Sequence, residues 1–142
     1  MQFGQSIPQD KAELSCLNIA LVGGGSGGRA LLKFLENNRL WNLCLSIVGV
    51  ADSNEDAPGV VYARNKGIYT TTDYKEFFSF ADLHLLIEIT GRQDVLDELI
   101  RTKPKQVRVI DHLTARLFWD LIEVQELAQG HRSLFGPILP DG

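Results

Sequence analysis

The residues most suited to binding chemistry are five glycines and one serine in a row, Gly23-Gly24-Gly25-Ser26-Gly27-Gly28. Three of them fit the spacing GxGxxG. In this pattern the first glycine, Gly23, allows a tight turn, and the second, Gly25, lets the backbone approach a pyrophosphate. The third, Gly28, lets a helix pack closely on a strand, and the free N–H groups at the start of that helix bind phosphate oxygens. The motif predicts a dinucleotide site, and a glycine-rich turn without a ligand is the alternative.

The same run also fits GxxxxG, which begins a phosphate-binding P-loop. A P-loop continues with Lys and then Ser or Thr, but Arg29 and Ala30 follow here. The sequence therefore argues against an ATPase or GTPase.

An acidic residue, Asp52, stands at the end of a second apolar segment. A carboxylate there accepts hydrogen bonds from the adenosine ribose and repels a 2′-phosphate. Ser53 and Asn54 follow it, with no Arg directly after it. We therefore expect NAD as the cofactor in preference to NADP. The alternative role for Asp52 is a turn or helix cap.

Polar residues also follow the fourth and fifth apolar segments, where a nicotinamide group would lie. Thr90 offers a hydroxyl and an N–H, Gly91 allows close approach of the chain, and His112 is of the residue type that can change charge near neutral pH. Turn chemistry explains Thr90 and Gly91 equally well, and a capping role or a solvated loop position is the alternative for His112. His84 is expected to be a sheet histidine away from the ligand. The predicted cofactor site comprises Gly23, Gly24, Gly25, Ser26, Gly27, Gly28, Asp52, Ser53, Thr90, Gly91 and His112; no catalytic or metal-binding residue is predicted.

These residues must be positioned by strands and helices that alternate along the chain. Apolar runs predict strands at 17–22, 44–51, 68–70, 83–89 and 107–110. Helical periodicity, Pro58 and the capping residue Asp73 predict helices at 27–38, 58–66, 73–78, 94–101 and 114–129. The last helix is expected to turn Leu117, Phe118, Leu121, Ile122 and Val124 toward a core. The alternation predicts an α/β fold of the Rossmann type, with a doubly wound parallel sheet of order 3-2-1-4-5 in three αβα layers.

Size and composition agree with one globular domain. The chain has 142 residues, 44% of them hydrophobic, and a formal net charge of -4. The acidic balance argues against nucleic-acid binding. No apolar run is long enough to span a membrane and the N-terminal residues do not form a signal peptide, so we expect a cytoplasmic protein. We expect an N-terminal arm at 1–16, the Rossmann domain at 17–129 and a tail at 130–142.

The two cysteines, Cys16 and Cys44, form no metal-ligand pattern. We expect two buried apolar side chains. The alternative is a regulatory disulfide, because both residues would lie near the starts of neighbouring strands.

Residues 17–28, 48–52 and 85–91 resemble the NAD(P)-binding domain of the glucose–fructose oxidoreductase and inositol dehydrogenase family. They are also similar to homoserine and aspartate dehydrogenases, whose fourth strand ends in a comparable turn. A closer likeness, over residues 17–127, is to bacterial Rossmann domains found ahead of PAS and histidine-kinase modules. That resemblance implies sensing of a dinucleotide without catalysis. It assigns Gly23, Gly25 and Gly28 to the phosphates, Asp52 to the ribose, and Thr90 and Gly91 to the nicotinamide side.

The sequence thus predicts an NAD(H)-binding domain with a regulatory or sensory role and no complete catalytic site, because 142 residues leave little room for a substrate lobe. One alternative is an NAD-dependent oxidoreductase, or its cofactor-binding fragment, completed by another chain or domain. Another is binding of a different adenosine-containing ligand, such as S-adenosylmethionine or a lone nucleotide. A second copy of the chain or a downstream signalling domain is the expected protein partner.

Overall fold

Five strands alternate with helices in the computed structural model, which describes residues 16–37 and 44–128. The strands are β1 (Leu17–Val22), β2 (Leu45–Ala51), β3 (Thr70–Thr71), β4 (Leu85–Glu88) and β5 (Arg108–Ile110). The helices are α1 (Ser26–Asn37), α2 (Pro58–Asn65), α3 (Gln93–Thr102) and α4 (His112–Ala128), with a 3₁₀ helix at Tyr74–Ser79.

The five strands form one parallel sheet in the order β3-β2-β1-β4-β5. This confirms the predicted fold class and strand order. β1 lies in the centre, paired with β2 from Leu17↔Leu45 onward and with β4 from Ile19↔Leu85 onward. Parallel strands align their carboxyl ends, so the segments that follow β1, β2 and β4 meet at one edge of the sheet.

Each face of the sheet carries its own core because successive side chains of a buried strand point to opposite faces. Ile19 and Leu21 of β1 pack in a cluster with residues of α1 and α2, whereas Ala20 and Val22 pack with the 3₁₀ helix and α3. The first cluster comprises Ile19, Leu21, Leu32, Val50, Ala57, Val60 and Ala63; the second comprises Ala20, Val22, Ala51, Phe77, Leu83, Leu86, Leu99 and Val107. Helices therefore cover both faces, as predicted for three layers.

Several local signals act as the sequence predicts. Pro58 occupies the first turn of α2. Asp73 caps the 3₁₀ helix, since its carboxylate accepts a hydrogen bond from the Lys75 N–H at 3.0 Å. β4 is shorter than predicted, and α4 begins at His112 rather than at residue 114.

The outer face of α4 differs from the prediction. Leu117, Phe118, Leu121 and Val124 were expected to face a core, but each is at least half exposed. Trp119 lies on the inner side, where its ring packs edge-on against Phe34 of α1 at 5.5 Å between centroids. The helix therefore packs through a narrow inner side and leaves an apolar outer face.

Cys16 and Cys44 are joined by a disulfide, with 4.6 Å between their Cα atoms. The expectation of two buried, unpaired side chains is wrong, because the residues directly precede β1 and β2 and the pairing of these strands brings them together. The alternative, a disulfide, is the arrangement observed. Disulfides are more typical of oxidising compartments, and the cytoplasmic location stays a prediction.

No helix in the described part of the chain is long and apolar enough to cross a membrane. Residues 1–15 of the predicted arm, and the predicted tail at 130–142, lie outside the described residues. The predicted domain boundaries therefore stay predictions.

We expect the disulfide to stabilise the fold, because it closes a loop between residues 28 positions apart in the sequence. Reduction should lower the free energy of unfolding by about 2–4 kcal/mol, mainly by releasing constraint on the unfolded chain. Urea unfolding with and without a phosphine reductant measures this difference. A Cys16→Ser/Cys44→Ser double variant is the control and should not respond to the reductant; equal stability of the oxidised and reduced wild type would contradict the prediction.

Candidate dinucleotide site at the carboxyl edge of the sheet

The glycine run forms the turn between β1 and α1, and its first residue needs glycine for two reasons. Gly23 has φ +119°, which side-chain-bearing residues rarely adopt. A Cβ atom at Gly23 would also lie 3.0 Å from the backbone of Ile89 and Thr90. The chain after β1 therefore passes directly against the chain after β4.

The third glycine of the motif lets α1 approach this turn. A Cβ atom at Gly28 would lie 2.8 Å from the Gly23 carbonyl oxygen. The tight turn at Gly23 and the close approach at Gly28 are thus both present, as the motif predicts.

The middle of the run is open instead of packed. Gly25, Ser26 and Gly27 are exposed, and a Cβ atom at Gly25 or Gly27 would meet nothing within 4 Å. α1 begins at Ser26, so its free N–H groups lie at this opening. The backbone here leaves room for an anionic group at a helix N-terminus.

Gly24 faces the start of α2. Its carbonyl accepts a hydrogen bond from the Gly59 N–H at 2.6 Å, and a Cβ atom on it would lie 2.7 Å from Val60 Cγ2. The glycine run is consequently held from two sides, by the segment after β4 and by α2.

Asp52 follows β2 and is half-buried beside the glycine run. Its Oδ2 accepts from the Gly24 N–H at 2.7 Å, and its Oδ1 accepts from the Asn54 N–H at 2.9 Å. The second bond forms the turn cap that was the alternative role for Asp52. Each carboxylate oxygen has further acceptor capacity, so this position also suits ribose hydroxyls. Ser53 is exposed next to it.

A cleft of about 420 Å³ lies beyond Asp52, beside β3. The cleft is next to Asp52, because the carbonyl of its lining residue Thr71 accepts a hydrogen bond from the Asp52 N–H at 3.1 Å. Its lining is mainly polar and consists of Glu55, Val60, Arg64, Tyr69, Thr70, Thr71, Thr72 and Glu76. None of the predicted site residues lines it.

Thr90 and Gly91 form a turn after β4 whose polar groups are already bonded. The Thr90 hydroxyl donates to Glu88 Oε2 at 2.6 Å and accepts from the Arg92 N–H at 3.0 Å. Gly91 has φ +73° and donates its N–H to the same carboxylate. Turn chemistry, the alternative left open by the sequence, is therefore present at both residues.

Glu88 is the residue that sequence reasoning missed. It ends β4, its side chain has 0% exposure, and its carboxylate accepts five hydrogen bonds. Three come from Thr90 and Gly91, and two come from His112. The available signal was an acidic residue within an apolar strand, because a buried carboxylate requires several donors.

His112 is the first residue of α4, and both its N–H and its ring meet Glu88. The backbone N–H lies 3.0 Å from Oε1, and ring atom Nδ1 lies 2.6 Å from the same oxygen. The side chain is 22% exposed. The helix cap itself is Asp111, whose Oδ1 accepts the Thr114 N–H at 2.7 Å.

Hydrogen bonds after β4 and β5 stabilise the ionised form of two carboxylates, Glu88 and Asp111. Burial acts to raise the pKa of the Glu88 carboxyl, but the hydrogen bonds from Thr90 and His112 outweigh it and hold the pKa below its usual value of 4.5. The Thr114 N–H, followed by the Thr114 side chain, lowers the pKa of Asp111. Glu88 is therefore ionised at neutral pH.

His84 lies at the opposite end of β4 from the glycine run. Its Nδ1 accepts a hydrogen bond from the Asn18 N–H at 2.9 Å. This is the structural role predicted for a sheet histidine.

No family model and no curated protein sequence matches the chain. Among solved structures the chain is similar to GenD2 from gentamicin A biosynthesis, which was crystallised in complex with NAD. The TM-score is 0.55 at 20% sequence identity, over 69% of this chain. The match spans 27% of the GenD2 chain, so it covers about a quarter of that protein. At this identity the similarity shows the fold, which is of the Rossmann type.

We expect Glu88→Gln to destabilise the fold by about 2–4 kcal/mol at pH 7, because a neutral amide cannot accept all five bonds and turns its NH₂ group toward donors. A carboxyl with a lowered folded-state pKa stabilises above its unfolded pKa and loses that effect as pH falls through the folded value. Wild-type stability should therefore decline below about pH 4.5 more steeply than that of the variant.

Urea unfolding followed by circular dichroism between pH 7 and pH 3.5 tests both statements. Glu55→Gln, a change at an exposed carboxylate, is the matched control and should resemble the wild type. A Glu88→Gln variant as stable as the control at pH 7 would rule out the role given to this carboxylate.

Proposed function

We propose that this chain binds NAD(H) at the carboxyl edge of its sheet and serves as a regulatory or sensory domain. The observation that carries the proposal is the open backbone at Gly25 and Gly27, at the N-terminus of α1. A pyrophosphate needs close backbone approach and free N–H groups, and this segment offers both.

The position of Asp52 supports a dinucleotide with a free adenosine ribose. Its carboxylate lies one hydrogen bond from Gly24, so a ribose next to the bound pyrophosphate would reach it. A 2′-phosphate would meet this negative charge, which favours NAD over NADP. Arg64, which lines the neighbouring cleft, donates to the Glu55 carbonyl at 3.1 Å, so its guanidinium group is already bonded within the protein.

The regulatory role is supported by the connection between the site and α4. His112 begins α4 and is bonded to Glu88, which also holds the Thr90–Gly91 turn. A ligand at the carboxyl edge therefore lies next to the first residue of a helix with an exposed apolar face. A second copy of the chain or a downstream signalling domain remains the predicted partner.

An NAD-dependent oxidoreductase completed by another chain or domain is the second candidate. The Glu88–His112 pair favours it, because a carboxylate that orients an imidazole is an arrangement used in general acid–base catalysis. A bound nicotinamide ring would supply hydride transfer there. Turnover of small carbonyls or hydroxy acids by the isolated chain would favour this candidate over the regulatory one.

Titration calorimetry with NAD⁺ and NADH tests the proposal, and Gly25→Val is its critical variant. The added side chain meets no protein atom within 4 Å of the Cβ position, so the fold should survive. The same side chain fills the space needed by the pyrophosphate, and we expect affinity to fall by at least about tenfold.

Ala81→Val, at an exposed turn, is the matched control and should bind like the wild type. Failure of both NAD⁺ and NADH to bind the wild type at millimolar concentration would refute the proposal. Unchanged affinity in a folded Gly25→Val variant would place the ligand elsewhere.

The ribose assignment is tested at Asp52. Asp52→Ala should weaken NAD binding by about tenfold, the value of a hydrogen bond to a charged group. Binding of NADP should stay equal or improve because the repelling charge is gone. Asp52→Asn keeps an acceptor for the Gly24 N–H and separates the charge effect from loss of the loop contact.

Asp56→Ala is the control for this series, since Asp56 is an exposed acid in the same loop. The ratio of NAD affinity to NADP affinity is the quantity to measure. An identical ratio in the wild type, both Asp52 variants and the control would refute the role of Asp52.

A further inference from the structure

The Glu88–His112 pair lies at the opposite end of the carboxyl edge from Asp52. Glu88 ends β4 and His112 follows β5, whereas Asp52 follows β2 on the other side of β1. With the adenosine ribose at Asp52 and the pyrophosphate at the glycine run, a bound dinucleotide extends toward β4 and β5. Its nicotinamide ring therefore lies on the side of the pair.

The hydrogen bond to Glu88 determines which ring nitrogen of His112 is protonated in both the neutral and the charged imidazole. Ionised Glu88 offers only acceptors, so Nδ1, at 2.6 Å from Oε1, must be the N–H donor. Nε2 is then the atom that gains or loses the second proton. Since 22% of the side chain is exposed, protons can exchange with solvent.

The net charge of the pair depends on this one proton. With neutral His112 the pair carries one negative charge, and with protonated His112 it carries none. Histidine is the side chain that changes charge between pH 5 and pH 8.

The two redox forms of NAD differ by one positive charge, which lies on the oxidised nicotinamide ring. The adenosine and pyrophosphate parts are the same in both forms. A negative pair near the ring therefore attracts the oxidised form selectively, and a neutral pair does not.

We propose that the Glu88–His112 pair determines the preference of the site for NAD⁺ over NADH and makes that preference pH-dependent. Neutral His112 leaves the Glu88 charge in place and favours NAD⁺; protonation of His112 cancels the charge and removes the preference. By linkage, binding of NAD⁺ releases protons, whereas binding of NADH does not. This inference rests on the proposed NAD(H) site.

Other charged groups near His112 do not account for a pH-dependent preference for NAD⁺. Asp111 precedes it and is bonded to Thr114, and Arg116 lies one turn further along α4. In the segment after β4, Arg92 is paired with Asp94 at 2.7 Å. Carboxylates and guanidinium groups carry the same charge at pH 6.0 and pH 8.5, so of these neighbouring groups the His112 imidazole is the one whose charge can change in this interval.

The test is titration calorimetry of NAD⁺ and of NADH at pH 6.0 and pH 8.5, in two buffers with different ionisation enthalpies at each pH. The difference between buffers gives the number of protons released. For the wild type, NAD⁺ affinity should be about fivefold to tenfold higher at pH 8.5 than at pH 6.0, and NAD⁺ binding should release protons at pH 6.0 but not at pH 8.5. NADH affinity should change by less than about twofold.

His112→Gln is the critical variant, because glutamine can donate to Glu88 without gaining charge. We expect the ratio of its NAD⁺ affinity to its NADH affinity to be the same at pH 6.0 and at pH 8.5. We also expect NAD⁺ binding to this variant to release no proton. His84→Gln is the matched control: this histidine lies at the far end of β4 and the variant should keep the wild-type behaviour. Circular dichroism verifies that both variants are folded.

The outcomes separate the inference from the proposed function. If neither form binds, both are wrong. If both forms bind the wild type with equal pH dependence and without proton release, the inference is wrong and the NAD(H) site stands. Persistence of the pH dependence in His112→Gln, or its loss in His84→Gln, also overturns the inference; should His112→Gln fail to fold, the wild-type proton release decides.

Discussion

A carboxylate with no solvent exposure joins the ends of two strands in this protein. Burying the charge of Glu88 costs several kcal/mol unless hydrogen bonds replace the lost water. Five donors supply them, and they come from two segments that are separate in the sequence, the turn after β4 and the start of α4. Because the charge needs both sets, neither segment can move without leaving it underbonded. The geometry of half of the carboxyl edge follows from this constraint.

The other half is fixed by backbone contacts that only glycine permits. Gly23 packs on the backbone after β4, and Gly59 of α2 donates to the Gly24 carbonyl. Asp52 adds a charge-assisted bond to the Gly24 N–H. The glycine run is thus held by the segment after β4, by α2 and by the residue that follows β2. A preorganised loop spares a ligand the entropic cost of ordering it, which suits the proposed NAD(H) site, whose open part is limited to Gly25–Gly27.

Much of this arrangement could be predicted from the sequence because its signals are local. The strand, the glycine spacing and the helix follow one another within residues 17–37. Asp52 is likewise recognisable locally, because it directly follows the apolar run of β2. Glu88 could not be assigned in this way, since its partner at position 112 is adjacent only after β4 and β5 pair. The Cys16–Cys44 bond and the exposed face of α4 likewise depend on tertiary pairing. Apolar periodicity identifies a helix face, but it does not say whether a neighbour covers that face.

The position of His112 connects the chemistry of the edge with the rest of the molecule. It is the first residue of α4, and both its backbone N–H and its ring contact Glu88. A ligand changes the arrangement of such a helix only if it binds two arrangements with different affinities. In the proposed NAD(H) site, a proton on His112 and the positive charge of the oxidised ligand would compete for one carboxylate, and such competition would be a differential interaction of the required kind. Because Glu88 is also bonded to Thr90 and Gly91, such competition would act on the turn and the helix together. The buried carboxylate thus joins the turn after β4 to the start of α4, although the two are separate elements of the fold.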